Sequence, residues 1–369
     1  MSSFPPFTRL AASLPDHVPF VGPEAIERER GTSFAARIGA NESGFGPSPR
    51  VIEAMQASAG DMWKYCDPEN YDLRSAIADQ LGLDVEMVVV GEGVDGLLNL
   101  AVRMFAEPGE AVVTSLGAYP TFNFHVTGFG AKLVTVPYRD YREDLVALAE
   151  AANANNARIV YLANPDNPMG TWCEADAVEK FLAEINPHTL VILDEAYCEL
   201  APASAIPAIA PLRPNIIRMR SFSKAYGLAG IRCGYAFGPA ELIRPFERVR
   251  THYGVNRMAQ VAALAAFADQ AYLSEVVGLV AAGRERITQI AEENGLKALP
   301  SATNFVAVDC GADGVFAQKV LDNLIAQGIF VRKPVARGLD KFIRVSVGLD
   351  HELDLLAEAL PKALATARI

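Results

Sequence analysis

The stretch Ser221-Phe222-Ser223-Lys224, followed by Ala225-Tyr226-Gly227-Leu228-Ala229-Gly230-Ile231-Arg232-Cys233-Gly234, gathers reactive groups in a short space. It reads as a strand, a polar turn with two hydroxyls and a lysine, a glycine-rich return, and a second strand opened by an arginine. Ser, Lys and Gly also make ordinary surface turns. Lys224, however, lies between apolar segments at a chain reversal, and a desolvated amine there has a depressed pKa and forms Schiff bases. Ser221, Ser223 and Arg232 offer two neutral donors and one rigid fork, which suits a phosphate dianion. A second anion-binding feature precedes it. Gly91-Glu92-Gly93-Val94-Asp95-Gly96 follows a strand and opens a helix, matching G-x-G-x-x-G. The dinucleotide version of that motif needs an acid at the end of the next strand. That strand ends Val113-Thr114-Ser115-Leu116, and Glu110 sits at its beginning. What survives is a helix start with small residues and free N–H groups, able to hold some phosphate.

A lysine beside a phosphate clamp points to pyridoxal phosphate, and the surrounding sequence is similar to the fold-type I, class I and II aminotransferases. The lysine segment resembles their S-x-S-K-x-x-G-L-x-G-x-R-x-G signature. Asn164-Pro165-Asp166-Asn167-Pro168-Met169-Gly170 resembles N-P-x-N-P-x-G, and Leu193-Asp194-Glu195-Ala196-Tyr197 resembles the D-E-A-Y strand end. Asn41-Glu42-Ser43-Gly44-Phe45-Gly46-Pro47-Ser48-Pro49 resembles a segment of the histidinol-phosphate aminotransferase branch.

The resemblance implies a role for each residue. Lys224 forms the imine with the cofactor and shuttles the substrate proton. Asp194 pairs with the pyridine nitrogen, although an Asp before Glu-Ala also suits a helix N-cap. Tyr197 and Asn167 bond the cofactor's ring oxygen, Asn167 standing in a loop whose Asn167–Pro168 bond is compatible with either isomer. Tyr119 stacks on the ring or fills the core. Ser221, Ser223, Arg232, Gly93, Val94 and Asp95 hold the phosphate, and Tyr65 reaches the phosphate of a neighbouring subunit. Cys66 follows Tyr65 where the family has proline. Arg344, Arg332, Phe20 and Asn41 face the substrate. Arg344 stands mid-strand in Phe342-Ile343-Arg344-Val345-Ser346, where a buried ion pair is the structural alternative. Phe20 replaces a tyrosine of the histidinol-phosphate branch and so lacks a hydroxyl for substrate phosphate. The implied reaction is ping-pong transfer of an amino group between an amino acid or histidinol phosphate and a 2-oxo acid. An aromatic amino-acid aminotransferase, or a decarboxylase or lyase of the threonine-phosphate decarboxylase type, shares nearly all these residues.

The elements that must position these groups are legible as periodicity. Short β-branched runs at 87–90, 111–114, 132–136, 158–162, 190–193 and 216–219 alternate with amphipathic segments, which argues for a mainly parallel sheet covered on both faces. The family fold implies seven strands in that sheet and a smaller α+β domain. The expected divisions are an extended N-terminal arm over 1–37, a large cofactor domain over 38–245 and a small domain over 246–369. Long helices are expected over 239–250 and over 255–293, the latter interrupted near Ala271. Another covers 352–365, kinked or ended at Pro361.

Composition excludes several classes. With 369 residues, 51% hydrophobic and 21% charged, the chain suits a soluble globular protein of about two domains. Thirty-three Lys and Arg against 44 Asp and Glu leave a net charge of −11, and the densest charge run, 27–30, cancels itself, so nucleic acid is not expected as a partner. Five scattered cysteines match neither a zinc knuckle nor a redox dithiol, and no metal is expected. Residues 1–14 lack signal-peptide features, and no run approaches ~18 apolar residues. The expectation is a cytoplasmic homodimer with active sites at the subunit interface.

Overall fold

The computed structural model describes residues 5–15 and 21–369. The β-branched runs become strands in the expected order. After β1 (Ala36–Arg37) come β2 (Val88–Gly91), β3 (Ala111–Ser115), β4 (Lys132–Val136), β5 (Ile159–Ala163), β6 (Leu190–Asp194), β7 (Ile216–Ser221) and β8 (Gly234–Phe237). The last seven form one sheet in the order β2-β8-β7-β6-β5-β3-β4. Only β8 runs antiparallel to its neighbours. Every residue of β3, β5 and β6 is buried, as a sheet covered on both faces requires. At the edge, β4 instead exposes Lys132 and Thr135, which discourages further pairing.

Four later strands complete the chain: β9 (Lys297–Ala298), β10 (Phe305–Asp309), β11 (Ile329–Phe330) and β12 (Phe342–Ser346). An antiparallel sheet orders them β12-β10-β9, while β11 pairs in parallel with β1. The stretch after β1 stays beside these strands, with Ser346 N donating to Ile38 O and Asn41 N to Ser346 Oγ. This stitching carries Asn41 to the carboxyl edge of the large sheet.

Local chemistry corrects two helix expectations and the arm, and explains a third helix break. The arm is not simply extended: Arg9–Ser13 and Pro23–Arg30 are helical. Thr8 Oγ1 accepts from Ala11 N, Pro23 begins the second helix, and Gly31 closes it at φ 70°. The helix expected over 239–250 shrinks to Ala240–Ile243 and a 3₁₀ stretch, Arg244–Arg248, because Pro245 supplies no N–H. The stretch 255–293 is interrupted close to Ala271 as expected, at Asp269, into Arg257–Ala268 and Gln270–Glu293 bent by 81°. Asp269 ends the first and caps the second by accepting from Tyr272 N. The last helix, Asp350–Ala367, runs through Pro361. Its apolar face, Leu353, Leu356, Leu360 and Leu364, is buried on both sides of the proline, so packing outweighs the missing donor. Among the described residues no single helix is long and apolar enough to cross a membrane.

Candidate active site

Along the carboxyl edge of the parallel strands lies a cleft of about 230 Å³, where ligands bind in open α/β sheets. Asp194, the last residue of β6, is 5% exposed. Its Oδ2 accepts from Tyr161 Oη at 2.7 Å and its Oδ1 from Ala196 N at 2.9 Å. Burial raises this carboxyl to about 6 despite those two donors and the nearby Lys224. Tyr161 belongs to β5, the neighbouring strand, and stacks on Phe122 with ring centroids 4.4 Å apart. It lines the cleft, and sequence reasoning missed it. A tyrosine in an apolar strand gives no signal beyond core packing.

Lys224 follows β7 and reaches back over the cleft, where Nζ donates to Asn41 O at 3.1 Å. Its amine lies 5.4 Å from the centroid of the Tyr197 ring. Burial, then the Arg344 and Arg232 charges, lower it to about 8, with Asp194 and Glu42 opposing. Tyr197 is buried, its oxygen accepts from Asn41 Nδ2 at 3.0 Å, and burial pushes its phenol well up. Asn41 therefore touches both Lys224 and Tyr197.

One end of the cleft is an anion cradle. Ser221 and Ser223 stand together, Ser223 N donating to Ser221 Oγ at 3.0 Å. Arg232 adopts φ 59° and its Nη1 donates to Ala229 O at 3.0 Å and toward Ser223 Oγ at 3.4 Å. Facing them is the start of the helix Gly93–Phe105, with Val94 and Asp95 on the wall. Its first N–H groups have no partner within the helix. Gly93 sits at φ 75°, and a Cβ there would lie 2.8 Å from Arg232 Nη2. The same packing explains Gly234, whose Cβ would lie 2.8 Å from Val94 N.

The other end carries Asn167 and Arg344. Arg344 Nη1 donates to Asn167 Oδ1 at 2.7 Å, which leaves the Asn167 amide as a donor. The buried Nε of Arg344 has no partner, and burial lowers the guanidinium to about 10. Arg332 and Arg344 pair across a β-bridge, Arg344 N donating to Arg332 O at 2.6 Å. Arg332 Nη2 donates to Val21 O at 2.8 Å. Tyr119 lines the cleft just before the helix Pro120–Gly128, and burial with the Asp95 charge raises its phenol to about 12.

Among the described residues, one expected side chain stands away from this cleft. Tyr65 is 79% exposed and packs on Tyr253 at 4.9 Å. Phe20 lies outside the described residues. The cis peptide bond in the 164–170 loop is Asn164–Pro165, and Asn167–Pro168 is not cis.

A mainly parallel sheet presenting a half-buried lysine, a buried aspartate and an anion cradle along one edge is the fold-type I arrangement. The chain belongs to the family described as aminotransferase class I and II, whose model matches residues 36–360. It is 53% identical to a histidinol-phosphate aminotransferase from Sinorhizobium meliloti, solved in complex with pyridoxal-5'-phosphate. That likeness covers 99% of each chain with a TM-score of 0.96. It is also 34% identical over 357 residues to the histidinol-phosphate aminotransferase of Moorella thermoacetica, covering 96% of this chain and 92% of the relative. Histidinol-phosphate aminotransferase 2 of Ralstonia nicotianae is 38% identical over 347 residues, with 93% and 92% covered. An aspartate aminotransferase from Rhizobium meliloti, at 22% identity and TM-score 0.84, shares the fold.

Proposed function

We propose that this chain is a pyridoxal-phosphate-dependent aminotransferase that exchanges an amino group between histidinol phosphate and a 2-oxo acid. The observation that carries the cofactor reading is the single cleft lined by Lys224, Asp194, Ser221, Ser223 and Arg232. When bound, pyridoxal phosphate supplies an electrophilic carbon and a ring that withdraws electrons. The chain's own groups fit it. Lys224 presents an amine whose proton is lost well below the ordinary lysine range, suited to attack and then to carrying the substrate's α-proton. Asp194, fixed by Tyr161 and Ala196 N, presents an oriented carboxylate to a ring cation. Tyr197 and the Asn167 amide are donors for a phenolate oxygen, and the cradle with Gly93, Val94 and Asp95 suits the phosphate. Tyr119 is available to stack on the ring.

Substrate preference rests on the far end. Arg344 and Arg332 share one β-bridge, and the Arg332 charge lowers the Arg344 pKa. Two guanidinium groups placed together favour a dianion over a single carboxylate. The relatives' names agree with that choice. Those names do not favour the decarboxylase reading. Phe20 is retained in the proposal as a residue that trims phosphate affinity.

The working organisation is a homodimer in the cytoplasm, with an arm over 1–37, a large domain over 38–245 and a small domain over 246–369. Tyr65 is proposed to serve the partner's cradle, which its exposure leaves it available to do. The visible spectrum of the holoenzyme tests the function. Histidinol phosphate without an acceptor should bleach the yellow band to the pyridoxamine form. Bleaching by phenylalanine but not by histidinol phosphate would establish an aromatic aminotransferase instead.

A further inference from the structure

Asp95 is an unexpected neighbour for a phosphate. It is the third residue of the helix Gly93–Phe105, and it lines the cleft. A carboxylate in the first turn is attracted by the same unpaired N–H groups that would hold a bound anion. The N-cap residue, Glu92, makes no side-chain capping bond. Two anions at one helix start repel each other, and partial burial strengthens the repulsion.

The structure gives the Asp95 carboxylate another partner. His125 Nε2 lies 3.1 Å from Asp95 Oδ1, the two side chains being 15% and 34% exposed. A carboxylate only accepts, so Nε2 carries the hydrogen and donates it. His125 stands in the helix Pro120–Gly128, which begins directly after Tyr119. One contact thus joins the helix that opens the anion cradle to the helix that carries Tyr119.

We propose that His125 is a positioning residue for the cofactor site: by binding the Asp95 carboxylate it leaves the helix start at Gly93–Asp95 to the cofactor phosphate. The inference rests on the pyridoxal phosphate reading above. It assigns no contact between His125 and substrate or cofactor. Its consequence is specific: His125 matters because Asp95 is charged. Removing the charge should remove the need for the histidine.

The test is a double-mutant cycle on cofactor retention. Dissociation constants for pyridoxal phosphate are read from visible absorbance for the wild type, His125→Ala, Asp95→Asn and the double variant. Asp95→Asn keeps its backbone N–H in the cradle. His125→Ala is expected to weaken binding about tenfold, a loss that the double variant recovers. Equal weakening in both backgrounds, or none in either, would overturn the proposal, because a merely structural link between helices predicts no rescue. If His125→Ala does not fold, His125→Phe fills the space without a donor and is read alike. Weaker retention relieved by Asp95→Asn supports the proposal, and unchanged retention overturns it. A wild-type chain that takes up no pyridoxal phosphate would instead refute the cofactor reading and the inference with it.

Discussion

Lys224 shows how burial turns an ordinary side chain into a reactive one. Its amine is lowered to about 8 first by desolvation and then by Arg344 and Arg232, two cations whose own placement serves anions. The free amine is the attacking form, so its fraction rises as pH climbs through the lowered value. Formation of holoenzyme from the cofactor-free chain should therefore accelerate up to about pH 8 and then level. A rate still rising steeply above pH 9.5 would show an unperturbed lysine. Lys224→Ala should remove the visible band and reduce turnover by at least about 10²-fold. At this scale the sequence was informative for Lys224, Asp194, Asn167 and Arg232, whose neighbours form motifs. It was silent on Tyr161 and His125, since a lone tyrosine in a strand and a lone histidine in a helix carry no pattern. Only the fold brings each against a carboxylate.

At the scale of elements, the parallel strands end where the chemistry begins, and β6 and β7 are locked together just behind it. Glu195, next to Asp194, is fully buried and accepts from Arg218 Nη2 at 2.5 Å and Arg220 Nε at 2.9 Å. Burial works to raise this carboxyl, but the two arginines prevail and hold it below the usual range. Removing one member of a buried charge cluster leaves the others uncompensated. Glu195→Gln should lower unfolding stability by about 3–5 kcal/mol, read as a fall in the denaturant midpoint with little change in slope. A fall below about 1 kcal/mol would mean that solvent reaches the cluster. The helix expectations at Pro245 and Pro361 failed, and the break at Asp269 was foreseen, for one reason. A proline or a capping aspartate sets only a local tendency, and tertiary packing decides whether the helix stops, bends or continues.

The whole molecule leaves a group of aromatic and apolar side chains uncovered around Tyr65: Trp63 is 81% exposed, Tyr253 51% and Met62 45%. Such a surface suits contact with another protein copy. If Tyr65 completes the partner's site, mixing chains bearing Tyr65→Phe with chains bearing Lys224→Ala should restore activity at limiting cofactor. The mixed dimer contains one site with both native residues. Mixed dimers that stay at the level of the parents would count against a shared site. The arm, which the sequence suggested would be extended, includes two short helices in its described parts.

Four motifs in order determined the family, the mainly parallel sheet and most of the cleft's lining, because those residues act through local geometry that a motif must preserve. Alternating apolar runs determined the strands, since the inner ones must be buried on both faces. What only the tertiary structure decided are the contacts between distant segments. Examples are Asn41 against Lys224 and Tyr197, Arg344 against Asn167, Tyr161 against Asp194, and His125 against Asp95. No spacing in a chain encodes such pairs, because the sheet order that juxtaposes them follows from how the whole core packs.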